Sequence, residues 1–169
     1  MKACFMGLGY IGLPTAIIAA KHGIRITGVD INPVVVEKTN AGKLHIVEPG
    51  LAEMLREVVV AGMLHAATEP EVCDAYFIVV PTPFKGDHEP DVSYVESATR
   101  AVIPYLKAGD LYVIESTSPI GTTESMSKII FSERPELRGK IYIAYCPERV
   151  LPGNVIYELE HNDRVIGGV

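Results

Sequence analysis

Three glycines near the start of the chain and an acid further along are suited to hold the phosphates and a ribose of a nucleotide. Gly7, Gly9 and Gly12 have the spacing G-x-G-x-x-G, and Asp30 closes the next apolar run. Backbone N–H groups at the start of a helix bind anions, because they lack partners within the helix and the helix dipole is positive there. A carboxylate accepts hydrogen bonds from ribose hydroxyls. These residue types indicate a dinucleotide site.

A strand, a helix and a second strand must position these residues. Apolar residues predict a strand over Ala3–Met6, a helix over Tyr10–His22 and a strand over Arg25–Asp30. The glycines fall between the first strand and the helix, where they would give a sharp turn, close approach of a pyrophosphate and close helix packing. Asp30, at the end of the second strand, would repel a 2′-phosphate, so NAD is predicted rather than NADP. The alternative is a plain glycine turn with an incidental acid.

Further short apolar runs alternate with amphipathic stretches along the rest of the chain. The predicted strands are Ala75–Val80, Leu111–Glu115, Ile141–Tyr145 and, more weakly, Arg164–Ile166. The predicted helices begin at Pro33 with Asn32 as N-cap, cover Pro49–Val60, follow Asp91 and begin near Thr122. This alternation predicts an α/β fold with a doubly wound, mostly parallel sheet, which is a Rossmann-type dinucleotide-binding fold.

Length and charge restrict the class of protein. The chain has 169 residues, the length of one domain, and a net charge of −6 without a cluster of basic residues. Nucleic acids and anionic membranes are bound mainly by clustered cations, so neither is an expected partner. The sequence has no uninterrupted apolar run of about 18 residues, so we expect no membrane span. The three cysteines are scattered and form no C-x-x-C motif, so we expect no metal site. A reducing cytoplasm is the location that this cysteine content favours.

Three loops follow predicted strands and should lie together at one edge of the sheet. They are "PTPFKGDHEPD", "STSPIGTTE" and "CPERVLPGN", all rich in proline, glycine or hydroxyl residues. Ligands of open α/β sheets bind at this edge, so Thr82 and Thr117 are predicted to line the cofactor cleft. Ordinary loop composition is the alternative. Glu148 and Arg149 directly follow a buried strand, where charged groups need a partner. We therefore expect them either to contact a substrate or to form a structural salt bridge.

Five stretches of the sequence, taken together and in order, resemble one enzyme family. They are "GLGYIGLPTA", "VDIN", "VPTPFKGDHEPDVSYVESA", "ESTSPIGTTE" and "AYCPERVLPGN…NDRVIGG". On these motifs the chain is similar to the UDP-glucose/GDP-mannose dehydrogenases over nearly all of its length. Within that family, "PTPFKGDHEPD" and "CPERVLPG" look most like the branch that acts on UDP-N-acetylmannosamine.

The resemblance implies an NAD-dependent oxidation of the C6 alcohol of a UDP-sugar to a carboxylate, in two hydride transfers, for surface polysaccharides. By match to the family's motifs, the residues expected to contact NAD are Tyr10, Ile11, Asp30, Thr82 and Thr117. The resemblance also implies that Arg149 and Val150 contact the sugar nucleotide. Glu148 matches a glutamate that positions water or acts as base during thioester hydrolysis, and Thr117 is the second catalytic candidate.

The chain departs from the family pattern at two places. Pro152 stands where the family often has a second glutamate, which fits the mannosamine branch. The family's nucleophilic cysteine, lysine and asparagine lie in a later region, together with a central helix that forms homodimers. Residues 1–169 are thus expected to be an NAD-binding domain that is inactive alone. The alternatives are an NAD-sensing regulatory module and the cofactor domain of another UDP-sugar or hydroxyacid dehydrogenase.

Overall fold

A central sheet organises the chain, of which a computed structural model describes residues 1–151 and 153–169. The strands of this described part are β1 (Lys2–Met6), β2 (Arg25–Val29), β3 (Leu64–Ala67), β4 (Ala75–Ile78), β5 (Phe84–Lys85), β6 (Glu89–Pro90), β7 (Leu111–Ile114), β8 (Tyr142–Tyr145) and β9 (Gly167–Gly168). The main sheet has the order β3-β2-β1-β4-β7-β8-β9, while β5 and β6 form a separate hairpin. All neighbouring strands of the main sheet are parallel except the antiparallel pair of β8 and β9. The predicted doubly wound, mostly parallel sheet is confirmed.

Helices connect the parallel strands. Over the same described residues they are α1 (Gly12–Lys21), α2 (Pro33–Asn40), α3 (Leu51–Val60), α4 (Ser93–Val102), α5 (Thr122–Glu133) and α6 (Val155–His161), with short 3₁₀ turns at Ile103–Tyr105 and Pro135–Leu137. Asn32 caps α2 as predicted, because its side-chain oxygen accepts the Val34 N–H at 3.0 Å. The strand order reverses between β1 and β4, which is where such sheets bind ligands.

Two apolar cores lie on opposite faces of the sheet, and β1 contributes to both. Ala3 and Phe5 belong to the core that also holds the buried residues of α1 and α3. Cys4 and Met6 belong to the core that holds the buried residues of α4 and α5. Alternate residues of a strand point to opposite faces, so a strand covered on both faces is apolar throughout. This arrangement holds the end of β1, and the glycine turn that follows it, in a fixed place.

The sequence patterns missed three features and misplaced one. Strand β3 was missed because its short "LHAA" run lacks β-branched residues, the β5–β6 hairpin has two residues on each side, and α6 has only seven residues. The weak strand predicted at Arg164–Ile166 is wrong. The pairing with β8 falls instead at Gly167–Gly168, while the Arg164 side chain pairs with Glu115 and Glu148.

Candidate functional site

A cleft of about 630 Å³ lies at the carboxyl ends of the parallel strands. The glycine turn, the ends of β2, β3, β4 and β7, and one face of α4 form its walls. The residues that line it are Met6, Gly7, Gly9, Tyr10, Ile11, Val29, Asp30, Ile31, Thr68, Glu69, Pro70, Val79, Val80, Pro81, Thr82, Tyr94, Ser97, Ala98, Ala101, Glu115, Ser116, Thr117 and Glu148. Its size and position suit a nucleotide ligand at the point where the strand order reverses.

The three motif glycines have different roles. Gly7 has φ +103°, and a Cβ atom there would lie 2.3 Å from the carbonyl oxygen of Val79. A Cβ atom on Gly12 would lie 1.9 Å from the carbonyl oxygen of Gly7, so α1 packs directly against the turn. By contrast, a Cβ atom on Gly9 would meet nothing within 4 Å. Two glycines are therefore required by the fold, whereas the third leaves the backbone open to the cleft.

The Asp30 carboxylate faces the glycine turn. Its Oδ2 accepts the backbone N–H of Leu8 at 3.1 Å, and its Oδ1 accepts the backbone N–H of Asn32 at 2.9 Å. Asp30 follows β2 and also lines the cleft. A carboxylate has about four acceptor sites, so these two bonds fix its orientation and leave capacity for ribose hydroxyls. The open backbone at Gly9 and this oriented acid together fit a dinucleotide.

Two loops join to form the other half of the cleft. The hydroxyl of Thr82, after β4, donates to the carbonyl oxygen of Thr117, after β7, at 2.7 Å. Ser116 reinforces the join, because its hydroxyl accepts the Val80 N–H at 2.9 Å and donates to the Val80 carbonyl at 2.8 Å. Thr82 and Thr117 thus lie side by side along the cleft, as the prediction that both line it requires.

An acidic pair bridged by one arginine lies at the same end of the cleft. The Arg164 guanidinium donates to Glu115 Oε1 at 3.1 Å and also binds Glu148 Oε2. Burial raises the pKa of Glu115 to about 7, and the neighbouring charge of Glu148 adds to this rise while Arg164 opposes it. Within residues 1–151 and 153–169, the buried Oε2 atom of Glu115 has no hydrogen-bond partner. Glu115 is consequently a carboxyl group that titrates near neutral pH.

Replacing Glu115 with glutamine is expected to flatten the pH dependence of stability. The folded protein holds the proton on Glu115 up to about pH 7, whereas the unfolded chain releases it near the ordinary pKa. The stabilisation from this proton is therefore complete at acidic pH and is lost as the pH rises to about 7. Chemical denaturation at several pH values should show that the free energy of unfolding falls more steeply with rising pH for the wild type than for Glu115→Gln. The exposed Glu124→Gln serves as control, and parallel profiles for wild type and Glu115→Gln would contradict the assignment.

Eight of the residues singled out by sequence line the cleft. They are Gly7, Gly9, Tyr10, Ile11, Asp30, Thr82, Thr117 and Glu148. Gly12 lies beneath the turn, and Arg149 and Val150 are not among the lining residues, while Pro152 falls outside the described residues. The ion pair of Glu148 is with Arg164, and the Arg149 guanidinium donates instead to the Asp163 carbonyl at 2.6 Å. The structural salt bridge considered for these residues is thus present for Glu148, with Arg164, whereas the Arg149 guanidinium binds a backbone carbonyl.

Sequence reasoning did not assign roles to Glu115 and Arg164. Glu115 ends a buried apolar strand just as Asp30 does, and this shared pattern was the signal available for finding it. Arg164 carried no such signal, because its partners lie 49 and 16 positions away in the chain. Among the residues that the structure describes, no cluster of three His, Cys, Asp or Glu side chains could hold a metal ion. Over that same part of the chain, no helix has the length and apolar character needed to cross a bilayer.

The fold and the cleft define a Rossmann-type dinucleotide-binding domain. Residues 1–169 match the model of the "UDP-glucose/GDP-mannose dehydrogenase family, NAD binding domain". The chain therefore belongs to the UDP-glucose/GDP-mannose dehydrogenase family and is an NAD-binding domain of it. The family resemblance seen in the sequence motifs is confirmed.

Individual relatives agree with this membership. The UDP-N-acetyl-D-mannosamine dehydrogenase of Campylobacter jejuni is 54% identical over 177 residues, covering 99% of this chain and 44% of the relative. The NDP-N-acetyl-D-galactosaminuronic acid dehydrogenase of Ralstonia nicotianae is 51% identical and covers 97% of this chain and 41% of the relative. The structure of the UDP-N-acetyl-mannosamine dehydrogenase from Staphylococcus aureus superposes with a TM-score of 0.96 at 44% identity, over 100% of this chain and 42% of that one. The chain spans less than half the length of these relatives.

Proposed function

We propose that this chain is the cofactor domain of an enzyme that oxidises UDP-N-acetylmannosamine to UDP-N-acetylmannosaminuronate, with NAD as hydride acceptor in two successive transfers. The observation that carries the cofactor half of the proposal is the open backbone at Gly9 facing the oriented carboxylate of Asp30. The names of two of the relatives above, and the loop motifs "PTPFKGDHEPD" and "CPERVLPG", support the sugar.

The described residues would hold NAD along the length of the cleft. N–H groups of the glycine turn, at Tyr10 and Ile11, and of the first turn of α1 bind the pyrophosphate, and the carboxylate of Asp30 accepts hydrogen bonds from the adenosine ribose hydroxyls. Thr82 and Thr117 contact the half of the cofactor that lies over β4 and β7. NAD supplies the electron acceptor, while the domain supplies its orientation and an enclosed cleft.

The residues after β8 would meet the substrate. Arg149 and Val150 contact the sugar nucleotide, and Glu148 positions water or acts as base when a thioester is hydrolysed. Glu148 and Thr117 line the same cleft, which supports a role for both near the reacting atoms. Arg164 pairs with Glu148 and so fixes where its carboxylate lies beside the cleft.

The second oxidation step needs a nucleophile that this part of the enzyme does not present. An aldehyde yields a second hydride only after a nucleophile such as cysteine has added to its carbon. Cys4, Cys73 and Cys146 are all buried, and the structure describes all three but places none among the cleft-lining residues. We propose that a later segment, of the kind that fills the remaining length of the relatives, carries that cysteine and a central helix for a homodimer. We also propose a cytoplasmic location, which three free thiols support.

Thermal unfolding with added nucleotides tests this proposal. NAD at about 100 times its dissociation constant should stabilise the domain by roughly 2.7 kcal/mol, whereas NADP at that concentration should give a much smaller shift. UDP-N-acetylmannosamine should also shift the midpoint, and more than UDP-N-acetylgalactosamine does. We expect no steady NADH formation from the domain with NAD and UDP-N-acetylmannosamine.

Each outcome of this experiment separates two functions. Equal shifts with NAD and NADP would contradict the role of Asp30. A shift with NAD and none with either sugar nucleotide would favour an NAD-sensing regulatory module. A larger shift with the galactosamine nucleotide would favour the activity that names the Ralstonia relative. Steady turnover would show that the domain needs no further nucleophile.

A further inference from the structure

One buried carboxylate fastens the loop after β8 to a distant part of the chain. Glu48 is 6% exposed. Its Oε2 accepts the backbone N–H of Gly153 and its Oε1 accepts the backbone N–H of Val155, each at 2.9 Å. These donors stand at the start of α6, where N–H groups have no partners inside the helix. Hydrogen bonds to a charged acceptor are strong, and they replace the water that the buried carboxylate has lost.

The residues around Glu48 also contact the glycine turn. His45 Nε2 lies 2.7 Å from the carbonyl oxygen of Leu8, and the hydroxyl of Tyr10 donates to the carbonyl oxygen of Val47 at 3.0 Å. We call residues 45–48 the bridging segment. It contacts the cofactor turn on one side and the loop that leads from β8 into α6 on the other. The placement of that loop relative to the cofactor cleft therefore depends on the bridging segment.

We propose that Glu48 is a positioning residue for the sugar-nucleotide substrate, holding the loop so that Arg149 and Val150 are presented beside the cofactor cleft. This inference rests on the proposed function, because the assignment of Arg149 and Val150 to the substrate belongs to that proposal. The Leu151 N–H donates to Glu158 Oε2 at 2.9 Å, which ties the loop to its own helix. The two hydrogen bonds of Glu48 tie it to a distant part of the chain, beside the packing of Ile156 against the core that holds α1 and α3.

Replacement of Glu48 by glutamine tests the inference on the 169-residue protein. Glutamine keeps the size of the side chain but turns an NH₂ group toward one of the two N–H donors, so one hydrogen bond is lost. Amide hydrogen exchange at Gly153 and Val155, followed by NMR, should become about tenfold faster or more, since a hydrogen bond to a charged group is lost. Affinity for UDP-N-acetylmannosamine, measured by calorimetry with NAD present, should fall by about the same factor, while affinity for NAD stays unchanged.

Two further variants make the result interpretable. Glu160→Gln removes a carboxylate from an exposed position of the same helix and should change neither exchange nor affinity. Glu48→Asp keeps the charge but withdraws it by one methylene, so it should recover part of the sugar-nucleotide affinity lost in Glu48→Gln. If Glu48→Gln does not fold, Glu48→Asp is tested instead. Its amide exchange should then be faster and its sugar-nucleotide affinity lower than in the wild type, by smaller factors than those expected for Glu48→Gln.

The outcomes distinguish the inference from the function on which it rests. Unchanged exchange at Gly153 and Val155 would show that Glu48 does not hold the loop and would overturn the inference. The exchange could become faster while wild type and variant have equal affinity for the sugar nucleotide, or while neither binds it. Glu48 would then be only a helix cap, and the inference would also be overturned. Failure of the wild type to bind NAD would refute the proposed function, and the exchange data would still report on the loop.

Discussion

Replacing Gly12 with alanine is expected to destabilise the domain by about 3 kcal/mol or more, because the new methyl group would overlap the carbonyl oxygen of Gly7. The Cβ atom would lie 1.9 Å from that oxygen, and the backbone fixes the position of both atoms, so no side chain can rotate away to relieve the overlap. Helix α1 would have to move off the turn, which would also disturb the N–H groups that face the cleft. Denaturant unfolding followed by circular dichroism measures the loss directly.

Gly9→Ala is the matched control within the same turn. A Cβ atom on Gly9 has no neighbour within 4 Å, and its φ is not in the left-handed region, so the fold should keep its stability. The methyl group would instead occupy space toward the cleft and should weaken NAD binding. Similar stability losses in both variants would contradict the division of roles between the two glycines.

Replacing Asp30 with asparagine is expected to weaken NAD binding by about 10- to 100-fold, since hydrogen bonds to charged groups contribute roughly 1.5–3 kcal/mol. Asparagine has one acceptor oxygen and carries no charge, so it cannot serve the Leu8 N–H, the Asn32 N–H and a ribose together. NADP should lose far less affinity, because the repulsion of its 2′-phosphate disappears along with the charge. Calorimetric titration of the wild type and the variant with NAD and with NADP measures the change in affinity for each cofactor.

Asp87→Asn provides the comparison for overall charge. Asp87 is fully exposed in the loop between β5 and β6, so this change alters the net charge equally without touching the cleft. It should leave both affinities as in the wild type. The assignment of Asp30 would fail if its variant kept wild-type NAD affinity, or if both cofactors lost affinity to the same degree.

The sequence was sufficient for the parts of the fold that depend on local patterns. The turn at Gly7 and the helix after it follow from residue spacing within one βαβ unit, although the predicted start at Tyr10 is two residues too early, and Asp30 is marked by its place at the end of an apolar strand. The parallel order of β1, β2 and β4 follows from the alternation of elements. The turn, the helix and Asp30 are all encoded within one βαβ unit of the chain.

The missed features depend on contacts between distant residues. Helix α6 is capped by Glu48, more than 100 positions earlier, so its own seven residues carry little sign of a helix start. Arg164 lies outside the strands, and its side chain bridges Glu115 and Glu148, which are 49 and 16 positions away. Local propensity cannot report such partners, since the partner is chosen only after the sheet has formed.

The order of Glu115, Glu148 and Arg164 along the chain has a consequence for synthesis on the ribosome. Glu115 and Glu148 both emerge before the cation that separates them, and each is almost buried in the finished domain, with side chains 3% and 7% exposed. Until residue 164 leaves the exit tunnel, two carboxyl groups face one another without a counter-charge, which opposes closure of that end of the sheet. The domain should therefore complete its folding late, and a chain shortened to residue 160 should expose this end to proteases.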